Sequence, residues 1–187
     1  MEQTVPYGAG CQGLFLLLLT VVEMTLHIIA TGGTFEKHYD EISGRLVFGE
    51  SHIPSLMKRA RVSLPYTFET VCMLDSLDMQ ESDRLKIREA CAMSPAGKIV
   101  IVHGTDTMRE TAAVLGKAAF QKTIVLTGAM IPCEFDHSDA LFNLGFATGA
   151  VQLLPNGVYV LMNGRVFDWE RVRKNRREGL FEEADKR

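Results

Sequence analysis

The 187-residue chain has 47% hydrophobic residues and a formal net charge of −3 at pH 7. This length and apolar content predict one domain with a sizeable core. Because there is no basic excess, the charge argues against a nucleic-acid or anionic-membrane partner and favours a small-molecule substrate. The four cysteines form no CxxC pair, so we expect reduced thiols, no zinc site and a cytoplasmic location.

Residues 1–23 form a hydrophobic extension that differs from the rest of the chain. The apolar run Leu14–Val22 has no Lys or Arg before it, whereas a secretory signal peptide requires a basic start. A membrane span needs roughly 20 apolar residues, and this run stops at Glu23. The sequence favours a third interpretation, an upstream extension ahead of a true start at Met24. The fold is therefore expected to cover residues 24–187.

The first predicted strand, Thr25–Thr31, runs directly into Gly32, Gly33 and Thr34. Paired glycines after a strand let the backbone approach a ligand closely. A TGGT sequence alone is a weak signal, since glycine-rich turns also begin nucleotide and phosphate sites. The polar segment Phe35–Glu50 is predicted to be a mobile loop or hairpin of the kind that closes over a site.

The central stretch is KIVIVHGTDTM, Lys98–Met108. Its run of β-branched residues predicts a strand covered on both faces, as in a parallel sheet. Ligands of open α/β sheets bind outside the carboxyl ends of the strands. Thr105 and Asp106, which follow this strand, are therefore predicted to meet a substrate. From Thr107 onward the apolar spacing changes to that of a helix.

Strand and helix patterns alternate along the chain. They predict an α/β fold, a three-layer sandwich with a mainly parallel, doubly wound sheet of about five strands. The charge-rich segment Asn163–Arg187 is expected to run over the surface. The other predicted elements are helices at His52–Arg61, Met79–Met93 and Ala140–Leu153 and strands at Phe68–Leu74, Thr123–Thr127 and Val158–Met162.

Three motifs in this order closely resemble the bacterial-type L-asparaginase family. They are IIATGGT at Ile28–Thr34, VHGTDTM at Val102–Met108, and LTGAMIP to SDALFNL at Leu126–Leu144. DSLDM at Asp75–Met79 and the segment ending in Lys174-Asn175 extend the resemblance over nearly everything from Met24. The chain resembles a short, single-domain branch equivalent to the family's N-terminal domain. The resemblance implies hydrolysis of L-asparagine to L-aspartate and ammonia, with glutamine as a further substrate and no cofactor.

The resemblance also implies catalytic roles. Thr34 matches the family's first catalytic threonine, the nucleophile candidate, and Tyr39 is the candidate for the loop tyrosine that assists it. Thr105, Asp106 and Lys174 match a second constellation. Lys174 could take a proton from Thr105 only as a neutral amine, whereas the neighbouring Asp106 favours its charged form. The sequence is compatible with two mechanisms. One forms an acyl-enzyme on Thr34, and the other is a single-step attack by water.

A second set of residues is implied to bind the substrate. Ser76 and Asp106 match residues that hold its α-carboxylate and α-amino groups. Backbone N–H groups near Gly33, Thr105 and Ala129 are candidates for contacting the substrate or its developing oxyanion. Leu77 departs from the family pattern, because many relatives have a polar residue there. The usual family member also carries a C-terminal domain that helps to complete a neighbouring subunit's site.

Other interpretations compete with the enzyme. One is a non-catalytic amino-acid-binding module with a degenerate site, and another is a relative that supplies ammonia for tRNA-linked amide transfer. A homodimer or larger homo-oligomer is expected by analogy. His27 and His103 are predicted to be hydrogen-bonded structural residues. His38, His52 and His137 are expected to be isolated, and no metal site is predicted from them.

Overall fold

The structure, a computed structural model, describes residues 25–184. The interpretation of residues 1–23 and the expected start at Met24 lie outside this range. The strands are β1 Leu26–Gly32, β2 Lys37–Asp40, β3 Arg45–Phe48, β4 Tyr66–Leu74, β5 Lys98–Val102, β6 Thr123–Thr127, β7 Gly157–Met162, β8 Arg165–Asp168, β9 Val172–Asn175 and β10 Leu180–Glu183. The α-helices are α1 Ile53–Arg59, α2 Glu81–Met93, α3 Met108–Lys117 and α4 Ala140–Leu153.

The central sheet has six strands in the order β4-β1-β5-β6-β7-β8. The first five are parallel, and β8 pairs with β7 in the antiparallel direction. The chain moves from β1 outward to β4 and then returns to the other side of β1 as β5. The topological switch point therefore lies between β1 and β5, where open α/β sheets bind their ligands.

Helices cover both faces of the sheet and bury alternate side chains of each strand. In β5, Ile99 and Ile101 belong to the apolar cluster that includes residues of α2 and α3. Val100 and Val102 face the other way, into the cluster with α1 and α4. This period of two across a sheet buried on both sides confirms the predicted three-layer α/β fold. Within residues 25–184, no helix is long and apolar enough to cross a membrane.

The described part of the charge-rich C-terminal segment runs mostly over the surface, as expected, but it also contributes to the core. Residues 165–183 form three strands, and their apolar side chains Phe167, Val172 and Phe181 are at most 4% exposed. The turn before β8 is Asn163-Gly164, and both residues have positive φ, 54° and 76°. Asn-Gly between two strands is the strongest short-range signal for a two-residue hairpin. That signal was present in the sequence.

The polar segment after β1 forms a hairpin, as predicted. A short 3₁₀ turn, Thr34–Glu36, leads into β2, which pairs with β3. The buried Glu36 carboxylate accepts hydrogen bonds from the Ser51 hydroxyl (2.8 Å) and the His52 N–H (2.8 Å). Burial raises the pKa of Glu36. These bonds fasten the end of the hairpin to its start.

Two helical glycines allow a matched test of core packing. A Cβ on Gly116 in α3 would lie 2.3 Å from the indole ring of Trp169, whereas one on Gly145 in α4 would meet nothing within 4 Å. We expect Gly116→Ala to lower the free energy of unfolding by about 1–3 kcal/mol through overpacking. Gly145→Ala should raise it by up to about 1 kcal/mol through helix propensity. Urea titration measures both values, and equal stabilisation by the two variants would contradict the packing seen at Trp169.

Candidate active site

Three strand ends converge on one pair of glycines. A Cβ on Gly33, after β1, would lie 2.3 Å from the Cα of Gly104, after β5. A Cβ on Gly104 would lie 2.6 Å from the Ser76 hydroxyl oxygen, after β4. No side chain larger than hydrogen fits at either glycine without displacing its neighbours. Thr34 and Thr105, the next residues along the chain, thereby lie together with Ser76 on one rim of the sheet, the edge formed by the carboxyl ends of its parallel strands.

The second predicted constellation is assembled by direct contacts. The Lys174 ammonium donates to the Thr105 hydroxyl at 2.8 Å and to Oδ1 of Asp106 at 3.0 Å. Thr105 is 5% exposed, and the Lys174 side chain is 12% exposed. The lysine thus holds a hydroxyl and a carboxylate side by side in a place that water reaches poorly, which strengthens their interactions.

The hairpin of β9 and β10 carries Lys174 to this rim. Lys174 is paired with Phe181 across the two strands, and the buried side chains of Phe181 and Val172 anchor the hairpin in the core. A cavity of about 180 Å³ lies between the hairpin and the rim. Its lining includes Thr105, Asp106 and Lys174. The sequence pattern did not reveal this placement; only the family resemblance pointed to Lys174.

Ser76 lies in a turn that is fixed from two sides. It is 2% exposed, and its carbonyl accepts a hydrogen bond from the Thr107 hydroxyl at 2.7 Å. The preceding Asp75 carboxylate pairs with Lys37 of β2 at 2.6 Å, and this hydrogen bond lowers the pKa of Asp75. Leu77, by contrast, is 62% exposed. The turn is therefore tied both to the rim and to the hairpin.

No hydrogen bond joins Tyr39 to the predicted threonine, Thr34, although the structure describes both residues. Its side chain is 55% exposed on β2, and its phenol makes no hydrogen bond to any residue between 25 and 184. Its backbone N–H donates instead to Glu134. Thr34 is half-buried at the start of the 3₁₀ turn. Its hydroxyl makes no hydrogen bond within the same range, so it is available to a substrate.

Among the predicted backbone donors, some are already occupied. The Gly33 N–H donates to the Leu74 carbonyl at 2.8 Å. It is therefore not free to donate to a substrate. The N–H groups of Met130 and Ile131, which follow Ala129, are also occupied. They donate to the carboxylate of Asp139, the N-cap residue of α4, at 3.0 Å and 3.1 Å. The candidates that remain are the N–H groups of Thr105 and Ala129.

A family model described as "Asparaginase, N-terminal" matches residues 25–181. The chain belongs to the asparaginase family.

Individual members of the family show how far the similarity extends. The chain is 30% identical over 162 residues to the L-asparaginase of Thermococcus kodakarensis, a match that covers 84% of this chain and 49% of that protein. It is 34% identical over 163 residues to L-asparaginase 2 of Escherichia coli, with 79% and 45% covered. The solved structure of the thermostable L-asparaginase from T. kodakarensis superposes with a TM-score of 0.76 at 30% identity, covering 86% of this chain and 51% of that one.

These matches confirm the predicted family and its α/β fold. The asparaginase-family chain spans about half the length of the curated relatives it matches. A further relative is a glutamyl-tRNA(Gln) amidotransferase component from Methanococcus maripaludis, 32% identical over 152 residues, with 76% of this chain and 36% of that protein covered.

His103 is a structural histidine in this asparaginase-family chain, as expected. It is fully buried at the end of β5. Its Nδ1 lies 2.8 Å from the Gly104 carbonyl, and its Nε2 lies 2.8 Å from the Thr111 hydroxyl. A neutral ring satisfies both contacts, with Nδ1–H donating and Nε2 accepting. Burial lowers the pKa of His103 to about 4. His27 is also hydrogen-bonded, to Thr67 and Glu69.

The expectation that His38 and His52 are isolated is wrong. Their ring centroids lie 3.9 Å apart, and the Glu134 carboxylate lies 3.9 Å from Nδ1 of His38. The three residues come from the hairpin, the start of α1 and the loop before α4. Because they are far apart along the chain, local spacing gives no sign of the cluster.

The buried His103 predicts a specific acid sensitivity. Because its pKa falls from 6.5 when unfolded to about 4 when folded, the unfolded chain binds more protons between these values, and stability falls as the pH drops through this window. The loss from His103 amounts to at most about 3 kcal/mol. His103→Gln cannot titrate. We therefore expect the difference in unfolding free energy between wild type and variant to shift in favour of the variant from pH 7 to pH 4.5, as measured by urea denaturation. A pH-independent difference would contradict the assignment.

Proposed function

We propose that the protein hydrolyses the side-chain amide of L-asparagine to L-aspartate and ammonia, with Thr34 as the nucleophile. The observation that supports this best is the contact of Lys174 with both Thr105 and Asp106. This contact lies on the same rim as Thr34, because the backbone at Gly33, before Thr34, packs against the backbone at Gly104, before Thr105. An amide needs a positioned nucleophile, groups that move protons and donors for the oxyanion. The rim has a candidate for each.

The substrate's backbone groups have matching partners on this rim. One carboxylate oxygen of Asp106 accepts a hydrogen bond from Lys174. The other oxygen is left for the α-ammonium of asparagine. The Ser76 hydroxyl makes no hydrogen bond to another residue between 25 and 184, and it suits the α-carboxylate. Charge-assisted hydrogen bonds of this kind are about twice as strong as neutral ones. They would fix the amino acid so that its amide lies between the two threonines.

In the proposed reaction, the Thr34 oxygen attacks the amide carbon while its proton passes to the departing nitrogen. The C–N bond breaks, ammonia leaves, and an ester forms on Thr34. Water then attacks the ester, which releases aspartate and restores the hydroxyl. Thr105, polarised by the Lys174 ammonium, relays protons. The N–H groups of Thr105 and Ala129 are proposed to stabilise the oxyanion.

Amide hydrolysis is tested by single substitutions on the rim. We expect Thr34→Ala and Thr105→Ala each to reduce ammonia release from asparagine by at least about 100-fold, because each removes a group that reacts or moves a proton. Ser82→Ala, an exposed hydroxyl on α2, is the matched control and should retain wild-type activity. A coupled ammonia assay measures the rates. Mass spectrometry of rapidly quenched enzyme should show the acyl adduct in wild type and not in Thr34→Ala.

Other outcomes identify the competing functions. Full activity in Thr34→Ala would remove that residue as the nucleophile. Unchanged ammonia release with no adduct at any time point would favour direct attack by water. If wild type binds asparagine in calorimetry but releases no ammonia, the result would favour a non-catalytic amino-acid-binding module.

A second candidate function is glutamine hydrolysis that supplies ammonia to an amide-transfer partner. The observation that favours it is the similarity to the glutamyl-tRNA(Gln) amidotransferase component from M. maripaludis. The exposed Leu77 beside Ser76 offers no polar contact that would favour the shorter side chain. If asparagine is the substrate, kcat/KM for asparagine should exceed that for glutamine by at least about 10-fold, since one methylene is worth roughly 1–3 kcal/mol in a fitted site. The reverse preference in the same ammonia assay would favour the ammonia-supplying function.

A further inference from the structure

Two histidines and a glutamate from three separate segments meet beside the β2–β3 hairpin. One nitrogen of His38, one nitrogen of His52 and one carboxylate oxygen of Glu134 all lie within 4.8 Å of one another. We propose that these three side chains bind a divalent transition-metal ion, with Zn²⁺ as the best fit. The proposal is independent of amide hydrolysis at the rim.

The surroundings of His38 fix which of its nitrogens can bind a metal. Its Nε2 lies 3.0 Å from the Glu50 carbonyl, to which only an N–H can donate. The lone pair of the neutral ring is then on Nδ1, which faces the Glu134 carboxylate at 3.9 Å. Metal-binding histidines typically donate their other N–H to a carbonyl or carboxylate in this way, which sets the tautomer and the ring orientation.

His52 has a nitrogen that lacks a partner. Its Nε2 is shielded from solvent and has no hydrogen-bond partner between residues 25 and 184, although the Lys37 backbone lies close enough to the ring to favour its charged form. A buried polar atom without a partner costs free energy. The backbone of His52 is held in place, because its backbone N–H donates to the buried Glu36 carboxylate at 2.8 Å. We therefore assign Nε2 as the ligand atom of His52, because a metal bond there would satisfy the unpartnered nitrogen.

Glu134 completes the ligand set. One of its oxygens accepts the N–H of Tyr39, and the other, Oε2, is the atom that faces His38. Two imidazoles and one carboxylate are a common zinc set, which leaves a fourth tetrahedral position for water. With bonds of 2.0–2.1 Å, tetrahedral ligand atoms lie about 3.4 Å apart. The cluster therefore needs to contract by roughly 1 Å, which the partly exposed side chains of His38 and Glu134 can supply.

The ion would join the hairpin, the start of α1 and the loop before α4. None of its three ligands lines the cavity beside Thr105, Asp106 and Lys174, so the proposed role of the ion is to fix these segments relative to one another. Binding to the folded chain alone would raise the melting temperature with added Zn²⁺.

Metal binding is tested by titrating the full chain with Zn²⁺ in competition with a chromophoric chelator. We expect one Zn²⁺ per chain with a dissociation constant in the micromolar range or tighter. His38→Ala, His52→Ala and Glu134→Gln should each weaken binding by at least about 10-fold. Saturating Zn²⁺ should raise the melting temperature of wild type by roughly 5 °C or more, and that of the ligand variants by much less.

Two controls test whether binding is specific to the cluster. His137→Ala removes a histidine of the same loop, and Cys133→Ser removes the thiol next to Glu134; both should bind Zn²⁺ as wild type does. Glu134→Gln alters a partly exposed side chain, so it keeps the test valid if His52→Ala fails to fold. Unchanged binding in His38→Ala and Glu134→Gln, weakened binding in either control, or no binding by wild type would overturn the proposal.

Discussion

The candidate site depends on the close approach of two backbone turns at Gly33 and Gly104. A Cβ on either glycine would overlap backbone or side-chain atoms of a neighbouring strand end. Parallel strands bring their carboxyl ends to one edge, but side chains usually keep the following turns apart. Here the turns touch, so the residues that follow, Thr34 and Thr105, start from adjoining backbone. The position of this contact at the switch point between β1 and β5 leaves a crevice beside it for a ligand.

The charge at this rim depends on packing at the other end of the chain. Lys174 lies on a strand whose first residue, Val172, is fully buried, and its cross-strand partner Phe181 is 4% exposed. The charged side chains on the opposite face of the hairpin pair with each other across its two strands at the surface, as Arg173 does with Glu182. The hairpin thus has one apolar face that anchors it and one charged face that meets water. Loss of the apolar contacts would remove the lysine from Thr105 without any change at the site itself.

Much of the parallel sheet could be predicted from the sequence because each of its strands is a short apolar run followed by turn residues. Thr123–Thr127 and the helix Ala140–Leu153 were predicted with the bounds that the structure has. The C-terminal strands were missed because each buries only one or two side chains among many charges. The contact between Lys174 and Thr105 joins residues 69 positions apart, so no local pattern could show it. The same holds for the histidine cluster, whose members meet only through the tertiary fold.

Strand β2 connects the candidate active site with the histidine cluster. Side chains alternate across a strand, so Lys37 and Tyr39 share one face and His38 lies on the other. Lys37 pairs with Asp75, next to Ser76 on the rim, whereas His38 faces His52 and Glu134. The face that carries Tyr39 is therefore the face that is already tied to the rim. An ion that fixed His38 would hold this strand from its opposite side and so restrict the positions that the Tyr39 phenol can reach.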